Sequence, residues 1–115
     1  MMFSSSIFSE WKEISKTVNG STFYLDFERI RKHDGYVYYW FLVDFLKPDE
    51  DGDLSSKSYQ EGDCKLFRTR DLSFVNHQQS MGRDIGKSYN TKNPEWAYPS
   101  PNTLNEIMLK IVCDQ

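Results

Sequence analysis

Alternating apolar and other residues mark the first strand pattern of the chain. Phe23, Leu25 and Phe27 are apolar, and the residues between them are a tyrosine and an aspartate. Neighbouring side chains of a strand point to opposite faces of a sheet. This period of two therefore predicts a half-buried strand, with one face packed in a core.

The segment from Tyr36 to Leu46 has the strongest strand pattern of the chain. Its even-numbered positions, which include Tyr38 and Trp40, are largely apolar. Its odd-numbered positions are all apolar: Val37, Tyr39, Phe41, Val43 and Phe45. A strand that is apolar on both faces is usually central and covered on both sides. We therefore expect a helix or a second subunit to supply the second cover.

Glycine-containing turn signals separate the strand patterns. The pairs favour tight turns between antiparallel strands and are Asn19-Gly20, Asp34-Gly35, Asp51-Gly52 and Glu61-Gly62. Further strands are predicted at residues 55–59, 63–74, 74–81 and 95–98, with an acidic loop at 47–54 and a polar loop at 82–94. The patterns predict an α+β fold, a β-meander of about six strands followed by one helix.

The C-terminal segment carries the one helical pattern. Ser100 followed by proline predicts a helix N-cap, and Thr103 with Glu106 offers an alternative capping box three residues later. One apolar stripe follows at helical spacing: Leu104, Ile107, Met108, Ile111 and Val112. We expect this stripe to pack on the sheet against Tyr38 and Trp40, and the helix to end near Cys113.

Length and charge limit the classes of protein to consider. With 115 residues the chain has the size of one domain, and we expect residues 10–115 to form it. The net charge of −3 argues against nucleic-acid binding. No stretch reaches the roughly 18 apolar residues of a membrane-spanning helix. Residues 1–9 leave two interpretations open, the remnant of a signal peptide or a disordered N-terminus.

The two cysteines, Cys64 and Cys113, leave their own chemistry open. They form no C-x-x-C redox pair, and the chain lacks the closely spaced ligand pairs of a structural zinc site. Composition alone is compatible with a structural disulfide and with two free buried thiols. We predict no cofactor and no metal.

An ordered set of residues runs through nearly the whole chain. Its members are Trp11, Phe23–Asp26 with Ile30, Trp40, Ser55 and Lys57 before Asp63-Cys64, Arg68 and Arg70, and a proline- and serine-rich helix start before Cys113. This set resembles the surface-adhesin protein E family. The resemblance implies an antiparallel sheet with a C-terminal helix that a Cys64–Cys113 disulfide holds in place.

The resemblance also carries expectations about function. It implies a non-enzymatic bacterial protein that binds host matrix and serum proteins, such as laminin and vitronectin, and that is able to form a homodimer. The chain has no cysteine near its start for a lipid anchor. Among the locations in the bacterial envelope, which include the cell surface, a secreted or periplasmic location therefore fits this sequence better.

Two groups of residues are candidate sites for a protein partner. Tyr36, Tyr38 and Trp40 are either core residues or an exposed aromatic surface for a ligand or a second copy of the chain. Arg68 and Arg70 are candidates for a basic patch that binds an acidic partner. The alternative for these arginines is ordinary pairing across strands with Asp26, Glu28 or Asp71. Trp96 and Tyr98 are a second candidate aromatic patch, with ordinary packing as the alternative.

Metal binding and catalysis find less support in the sequence. Asp49, Asp51 and Asp53 have the spacing of the first ligands of a calcium-binding loop. Leu54 and Gln60 stand where such a loop requires glycine and glutamate, so we expect a solvated hairpin tip. No nucleophile motif accompanies the two histidines, and we predict no catalytic residue.

These observations lead to three hypotheses of different classes. The first is a non-enzymatic extracytoplasmic module that binds a host or envelope protein through a sheet edge or an aromatic and arginine-bearing face. The alternatives are a small periplasmic accessory protein and a small hydrolase or metal-dependent enzyme. An exposed aromatic patch would favour binding, whereas a deep pocket with converging titratable groups would favour an enzyme.

Overall fold

The computed structural model of the protein describes residues 10–115 as an antiparallel sheet of seven strands with one α-helix. The strands are β1 (Trp11–Lys16), β2 (Thr22–Asp26), β3 (Arg31–His33), β4 (Tyr36–Asp44), β5 (Ser55–Asp63), β6 (Arg68–His77) and β7 (Lys87–Asn90). The helix α1 (Leu104–Cys113) follows them. This confirms the predicted α+β meander with a C-terminal helix, whereas the prediction for residues 1–9 lies outside the described residues.

The strands form a meander in which β4 is central. The strand order is β1-β2-β4-β5-β6-β7, and β3 also pairs with β4. The strands β2 and β3 lie end to end along β4, with a 3-10 turn at Phe27–Arg29 between them. Asp34 and Gly35 join β3 to β4 with positive φ angles of 52° and 84°, which is the backbone geometry that an Asp-Gly hairpin turn requires.

The helix covers one face of the sheet, which we call the inner face. Val37, Tyr39 and Phe41 of β4 pack there with Leu25 of β2. The helix contributes Met108, Leu109 and Val112 to this core. The expectation that Tyr38 and Trp40 contact the helix is therefore wrong, because these residues lie on the opposite face.

A glycine in β5 explains why the helix packs on this side. A Cβ atom at Gly62 would lie 2.8 Å from Leu109 Cδ1 and 2.9 Å from Val37 Cγ1. Gly62 pairs directly with Val37, so the missing side chain leaves a gap in the inner face that the helix fills. Glu61-Gly62 is accordingly part of β5, and the prediction of a turn at this pair is wrong.

The helix buries a slightly different stripe from the predicted one. Met108, Leu109 and Val112 are at most 1% exposed, whereas Ile107 is 41% exposed. The predicted stripe placed Ile107 inward and omitted Leu109. The burial of Leu109 means that the helix is rotated about its axis relative to the prediction.

The N-terminus of the helix is capped by Thr103. The Thr103 hydroxyl accepts a hydrogen bond from the Glu106 backbone N–H at 3.3 Å, and the Glu106 carboxylate accepts one from the Asn102 backbone N–H at 2.9 Å. The alternative capping box is thus confirmed in outline, and the prediction of Ser100 as N-cap is wrong.

Replacing Thr103 by alanine is expected to lower the free energy of unfolding by about 1 kcal/mol, because one N–H of the first turn loses its acceptor. Urea denaturation followed by circular dichroism measures this change. The control is Ser100→Ala, which keeps the backbone carbonyl that accepts from the Thr103 hydroxyl at 2.7 Å. Equal losses in the two variants would contradict the assignment of the cap.

The C-terminal end of the helix is fixed to the sheet by a covalent bond and a lysine. Cys64 and Cys113 form a disulfide across a sequence separation of 49 residues. Lys32 of β3 donates hydrogen bonds to the backbone carbonyls of Cys113, at 3.3 Å, and of Gln115. The disulfide that the family resemblance implied is therefore present, and it joins the helix end to the turn between β5 and β6.

Several strand boundaries differ from the predicted ones. The strand β5 runs to Asp63 and is longer than predicted, and β6 begins only at Arg68 after a turn in which Phe67 has a φ of 56°. The edge strand β7 lies in the segment predicted as a loop, and the strand predicted at 95–98 is a single bridge between Thr69 and Ala97. Polar residues dominate β5 and β7, so their sequences carry little periodic signal.

A β-bulge in β6 changes which face its side chains occupy. Tyr59 of β5 pairs with Ser73, and Gln60 pairs with Asp71, so Leu72 is an extra residue. Residues before and after the bulge therefore follow opposite parities. This places Arg68 and Arg70 on the face opposite the helix and Phe74 on the inner face.

Candidate binding surface on the outer face of the sheet

The face of the sheet opposite α1, which we call the outer face, carries all five residues predicted to bind a partner. Tyr36, Tyr38 and Trp40 alternate along β4 and are half-buried. Arg68 and Arg70 lie two strands away on β6, where they pair across β5 with the same rows. The sheet register therefore brings together residues that are about thirty positions apart in the sequence.

A tryptophan from the segment before the helix joins these rows. The guanidinium carbons of Arg68 and Arg70 lie 4.4 Å and 4.3 Å from the ring centroid of Trp96. The Trp96 ring also stacks on Tyr36, with 5.8 Å between ring centroids. We call Arg68, Arg70, Trp96, Tyr36 and Tyr38 the arginine–tryptophan cluster. The two aromatic patches that the sequence predicted separately are one surface.

Carboxylates of β5 neutralise the two arginines. Arg68 donates to Asp63 at 3.0 Å, and Arg70 donates to Glu61 at 2.6 Å. Both carboxylates are buried, whereas the arginine side chains are 23% and 32% exposed. The residues expected as their partners, Asp26, Glu28 and Asp71, are not the partners found. The surface is consequently a charge-paired one and not a simple basic patch.

Asp63 is held in its ionised form. Burial acts to raise the pKa of the Asp63 carboxyl, but hydrogen bonds from the Leu66 backbone N–H and from Arg68 outweigh it and lower the pKa. The backbone N–H groups of Lys65 and Leu66 reach Asp63 Oδ1 at 3.1 Å and 3.2 Å. The same carboxylate thus orders the β5–β6 turn and orients Arg68.

A row of stacked aromatic rings continues the surface along β4 and β5. Tyr38 donates a hydrogen bond to Glu61 at 2.6 Å, and this bond, followed by burial, raises the pKa of Tyr38 to about 12. Tyr59 stacks on Tyr38 at 6.3 Å and on Trp40 at 4.9 Å between ring centroids. Tyr38 remains a neutral hydrogen-bond donor across the physiological pH range, and the rings hold one another in place.

The far end of the outer face is covered by a loop of the same chain. Leu42 is fully buried there, and the 3-10 turn Ser80–Gly82 lies against β4 and β5. The Met81 backbone N–H donates to Asp44 Oδ1 at 2.7 Å. The sequence predicts a helix or a second subunit as the second cover of β4. The structure instead has this loop there, and the loop reaches only one end of the strand.

Ser55, His77 and Asp84 lie close together, and they are the residue types of a hydrolytic triad. His77 Nδ1 is 3.2 Å from Asp84 Oδ1, but Ser55 is fully buried. The Ser55 hydroxyl donates to the Gln79 carbonyl at 2.7 Å and accepts from the Gly82 backbone N–H at 2.9 Å. A triad needs the serine bonded to the histidine and open to substrate, so this arrangement holds the loop instead.

The acidic loop brings its three aspartates together. One carboxylate oxygen from each of Asp49, Asp51 and Asp53 lies within 4.8 Å of the others. Asp49 Oδ1 accepts hydrogen bonds from the backbone N–H groups of Asp51 and Asp53, both at 2.9 Å. The Asp49 carboxylate therefore organises the loop backbone, as turn-forming aspartates commonly do.

The fold and this surface define a class of small, disulfide-linked α+β protein, in which a helix covers one face of a sheet and aromatic and arginine side chains remain accessible on the other. A family model described as surface-adhesin protein E matches residues 11–114. The chain belongs to this family. Membership of a surface-adhesin family implies a surface or secreted protein, and within residues 10–115 no helix has the length and apolar character needed to cross a membrane.

Solved structures of protein E from Haemophilus influenzae have the same fold. One crystal form superposes with a TM-score of 0.66 at 17% identity, covering 90% of this chain and 87% of the other. A structure from a non-typeable strain gives a TM-score of 0.67 at 16% identity, covering 90% of this chain and 75% of the other. A search of curated proteins gives no match. At this identity the likeness concerns the fold alone.

Proposed function

We propose that this protein is a non-enzymatic extracytoplasmic module that binds a host or envelope protein through the arginine–tryptophan cluster. The observation that carries the proposal is the stacking of Arg68 and Arg70 on Trp96, on the face that the helix leaves open. Tryptophan, tyrosine and arginine are the residues most enriched at the energetic centres of protein interfaces.

The fixed geometry of the cluster supports this role. Arg70 is bound to Glu61, which also accepts from Tyr38, so two side chains are held by one buried carboxylate. Ordering a long side chain on association costs about 0.5–1.5 kcal/mol. Side chains that are already ordered in the free protein avoid much of this cost, so the cluster would bind a protein surface with a smaller loss of side-chain entropy.

The pairing of the arginines with carboxylates indicates which contacts a partner would make with this surface. Asp63 and Glu61 already neutralise the two guanidinium groups, so a strongly acidic partner has no excess of positive charge to bind here. Stacking against the aromatic rings and hydrogen bonds to the guanidinium edges would instead provide the contacts. Such a surface fits a mixed polar and aromatic patch on a folded protein.

The disulfide supports a location outside the cytoplasm. Disulfides persist in the periplasm, at the cell surface and in secreted proteins, and they are rare in the cytosol. The Cys64–Cys113 bond fixes the turn that precedes Arg68. The surface proposed to bind a partner thus depends on an oxidising compartment.

Biolayer interferometry on immobilised laminin and vitronectin, with serum albumin as reference, tests the proposal. We expect saturable binding of the oxidised protein to at least one of them. The Trp96→Ala variant should weaken it about tenfold or more, as the loss of a central aromatic residue does at protein interfaces. Tyr89→Ala is the matched control, because Tyr89 is an exposed aromatic residue of β7 that stacks on Phe74 of the inner face.

Two results would contradict the proposal. One is wild-type protein that binds neither laminin nor vitronectin above the albumin reference. The other is equal loss of binding in Trp96→Ala and Tyr89→Ala, which would mean that the arginine–tryptophan cluster has no special part in the interaction.

A further inference from the structure

A cleft lies on the outer face at the end away from Trp96. It has a volume of about 340 Å³ and lies between Trp11 of β1 and Trp40 of β4. Lys57, His77 and Ile85 also line it, and we call it the Lys57 cleft. Its volume is at the lower end of the range of small-ligand sites, so a molecule with one or two rings would fill it.

The positive charge of Lys57 has no direct counterion in this cleft. No hydrogen bond or ion pair joins its ammonium group to another residue of the described range 10–115. Burial, together with the charge of Arg29, lowers the pKa of Lys57, and the charge of Asp84 only partly opposes this. Arg29 is itself bound to Asp26 at 3.3 Å. The pair with Asp26 neutralises Arg29, so the anion-attracting charge of the cleft is that of Lys57.

His77 presents a second polar group to the same cleft. Its side chain is almost completely buried, and its Nε2 atom has no hydrogen-bond partner among the described residues. The opposite ring nitrogen, Nδ1, faces the Asp84 carboxylate at 3.2 Å. A buried polar atom without a partner costs free energy, and such atoms are rare in folded proteins. A ligand that bonds to Nε2 would remove that cost.

Asp84 fixes the orientation of the His77 ring. Burial acts to raise the pKa of Asp84, but hydrogen bonds from the backbone N–H groups of Gln78 and Gln79 outweigh it and lower the pKa. The ionised carboxylate lies 3.2 Å from Nδ1 and so holds the His77 ring in place. Glycines allow the close packing, since a Cβ atom at Gly86 would lie 2.7 Å from His77 Nδ1.

The walls of the cleft favour a flat apolar body. The indole rings of Trp11 and Trp40 lie on β1 and β4, and Ile85 is 95% exposed at the rim. Aromatic rings pack against one another in stacked or edge-to-face arrangements that add to the burial of apolar surface. The positive charge of Lys57 disfavours a metal ion in the cleft.

We propose that the Lys57 cleft binds a small aromatic carboxylate, with its ring between Trp11 and Trp40 and its carboxylate on the Lys57 ammonium. This site is separate from the arginine–tryptophan cluster, and it does not require the protein partner proposed above.

The first test compares an acid with its neutral amide on the full chain. Indole-3-propionate and indole-3-propionamide have the same ring and nearly the same shape, and isothermal titration calorimetry measures both. We expect the carboxylate to bind about tenfold more tightly, because a hydrogen bond to a charged group contributes more than one to a neutral group. Equal affinities, or no binding of the acid at millimolar concentration, would overturn the proposal.

The second test locates the ligand by using the three tryptophans of the chain. In two-dimensional NMR spectra, indole-3-propionate should shift the indole N–H signals of Trp11 and Trp40 and leave that of Trp96 unchanged. A shift confined to Trp96 would overturn the proposal and assign the ligand to the arginine–tryptophan cluster. The NMR shifts do not depend on laminin or vitronectin binding. A negative result in one experiment therefore contradicts only the ligand cleft or only the protein-binding surface.

A pair of variants tests the charge. Lys57→Met keeps the length of the apolar stem and removes the ammonium, and we expect affinity for indole-3-propionate to fall about tenfold. Lys110→Met makes the same change on the exposed side of the helix, across the sheet, and should leave the affinity unchanged. Equal effects of the two variants, with both shown to be folded by circular dichroism, would contradict the assigned role of Lys57.

Discussion

Replacing both Cys64 and Cys113 by serine is expected to lower the free energy of unfolding by about 4 kcal/mol. The disulfide closes a loop across a sequence separation of 49 residues, and cutting it restores the conformational entropy of that loop to the unfolded chain. Urea denaturation of the oxidised wild type and the double variant, at the same pH and without reductant, measures the difference.

The reduced wild-type protein is the control for this change. It keeps both cysteines but lacks the bond, so its midpoint of unfolding should match that of the double-serine variant. A double variant that unfolds within about 1 kcal/mol of the oxidised wild type would contradict the prediction, since that difference is well below the loop-closure term.

The second large effect is expected at Leu109. This side chain is fully buried between the helix and the sheet, and its Cδ1 atom fills the space above Gly62. Leu109→Ala should lower the free energy of unfolding by about 3 kcal/mol, because the substitution removes buried apolar atoms and leaves a cavity. The same urea denaturation measures this loss.

Ile107→Ala provides the matched comparison on the same helix. Ile107 is 41% exposed, so its truncation should cost at most about 1 kcal/mol, within the range for partly exposed positions. The stripe predicted from the sequence would reverse this order. A larger loss at Ile107 than at Leu109 would mean that the helix packs with its other side toward the sheet.

The parts of the fold with strong periodicity could be predicted from the sequence. The segment from Tyr36 to Asp44 carries apolar residues on both parities, and it is the central strand of the sheet. The apolar stripe near the C-terminus is likewise a helix. In these segments the local pattern agrees with the tertiary environment, and the prediction needed no knowledge of distant residues.

The rotation of the helix could not be predicted in the same way. Leu109 and Ile107 are both apolar and lie near the edges of one stripe, so the helical period alone does not choose between them. The choice depends on Gly62, which leaves room for Leu109 on the inner face. Gly62 itself resembled a turn residue in the sequence, because a strand glycine that faces a helix has no local signature.

The sequence indicates most residues of the candidate surface but not how they are arranged. The sequence offers Tyr36, Tyr38, Trp40, Arg68 and Arg70 as candidates in two separate segments, and the sheet register places them on one face. That Trp96 would lie over both arginines had no sequence signal, since the contact depends on the bridge between Thr69 and Ala97. Contacts of this kind are set by packing at long range.

The extra residue Leu72 also limits how the length of the chain can vary. Arg68 and Arg70 precede it, whereas His77 follows it, and both groups face outward only because the bulge reverses the parity between them. Losing one residue there would turn one of the two groups toward the helix. Insertions and deletions in this protein are consequently expected in the loop over residues 47–54, and not within β6.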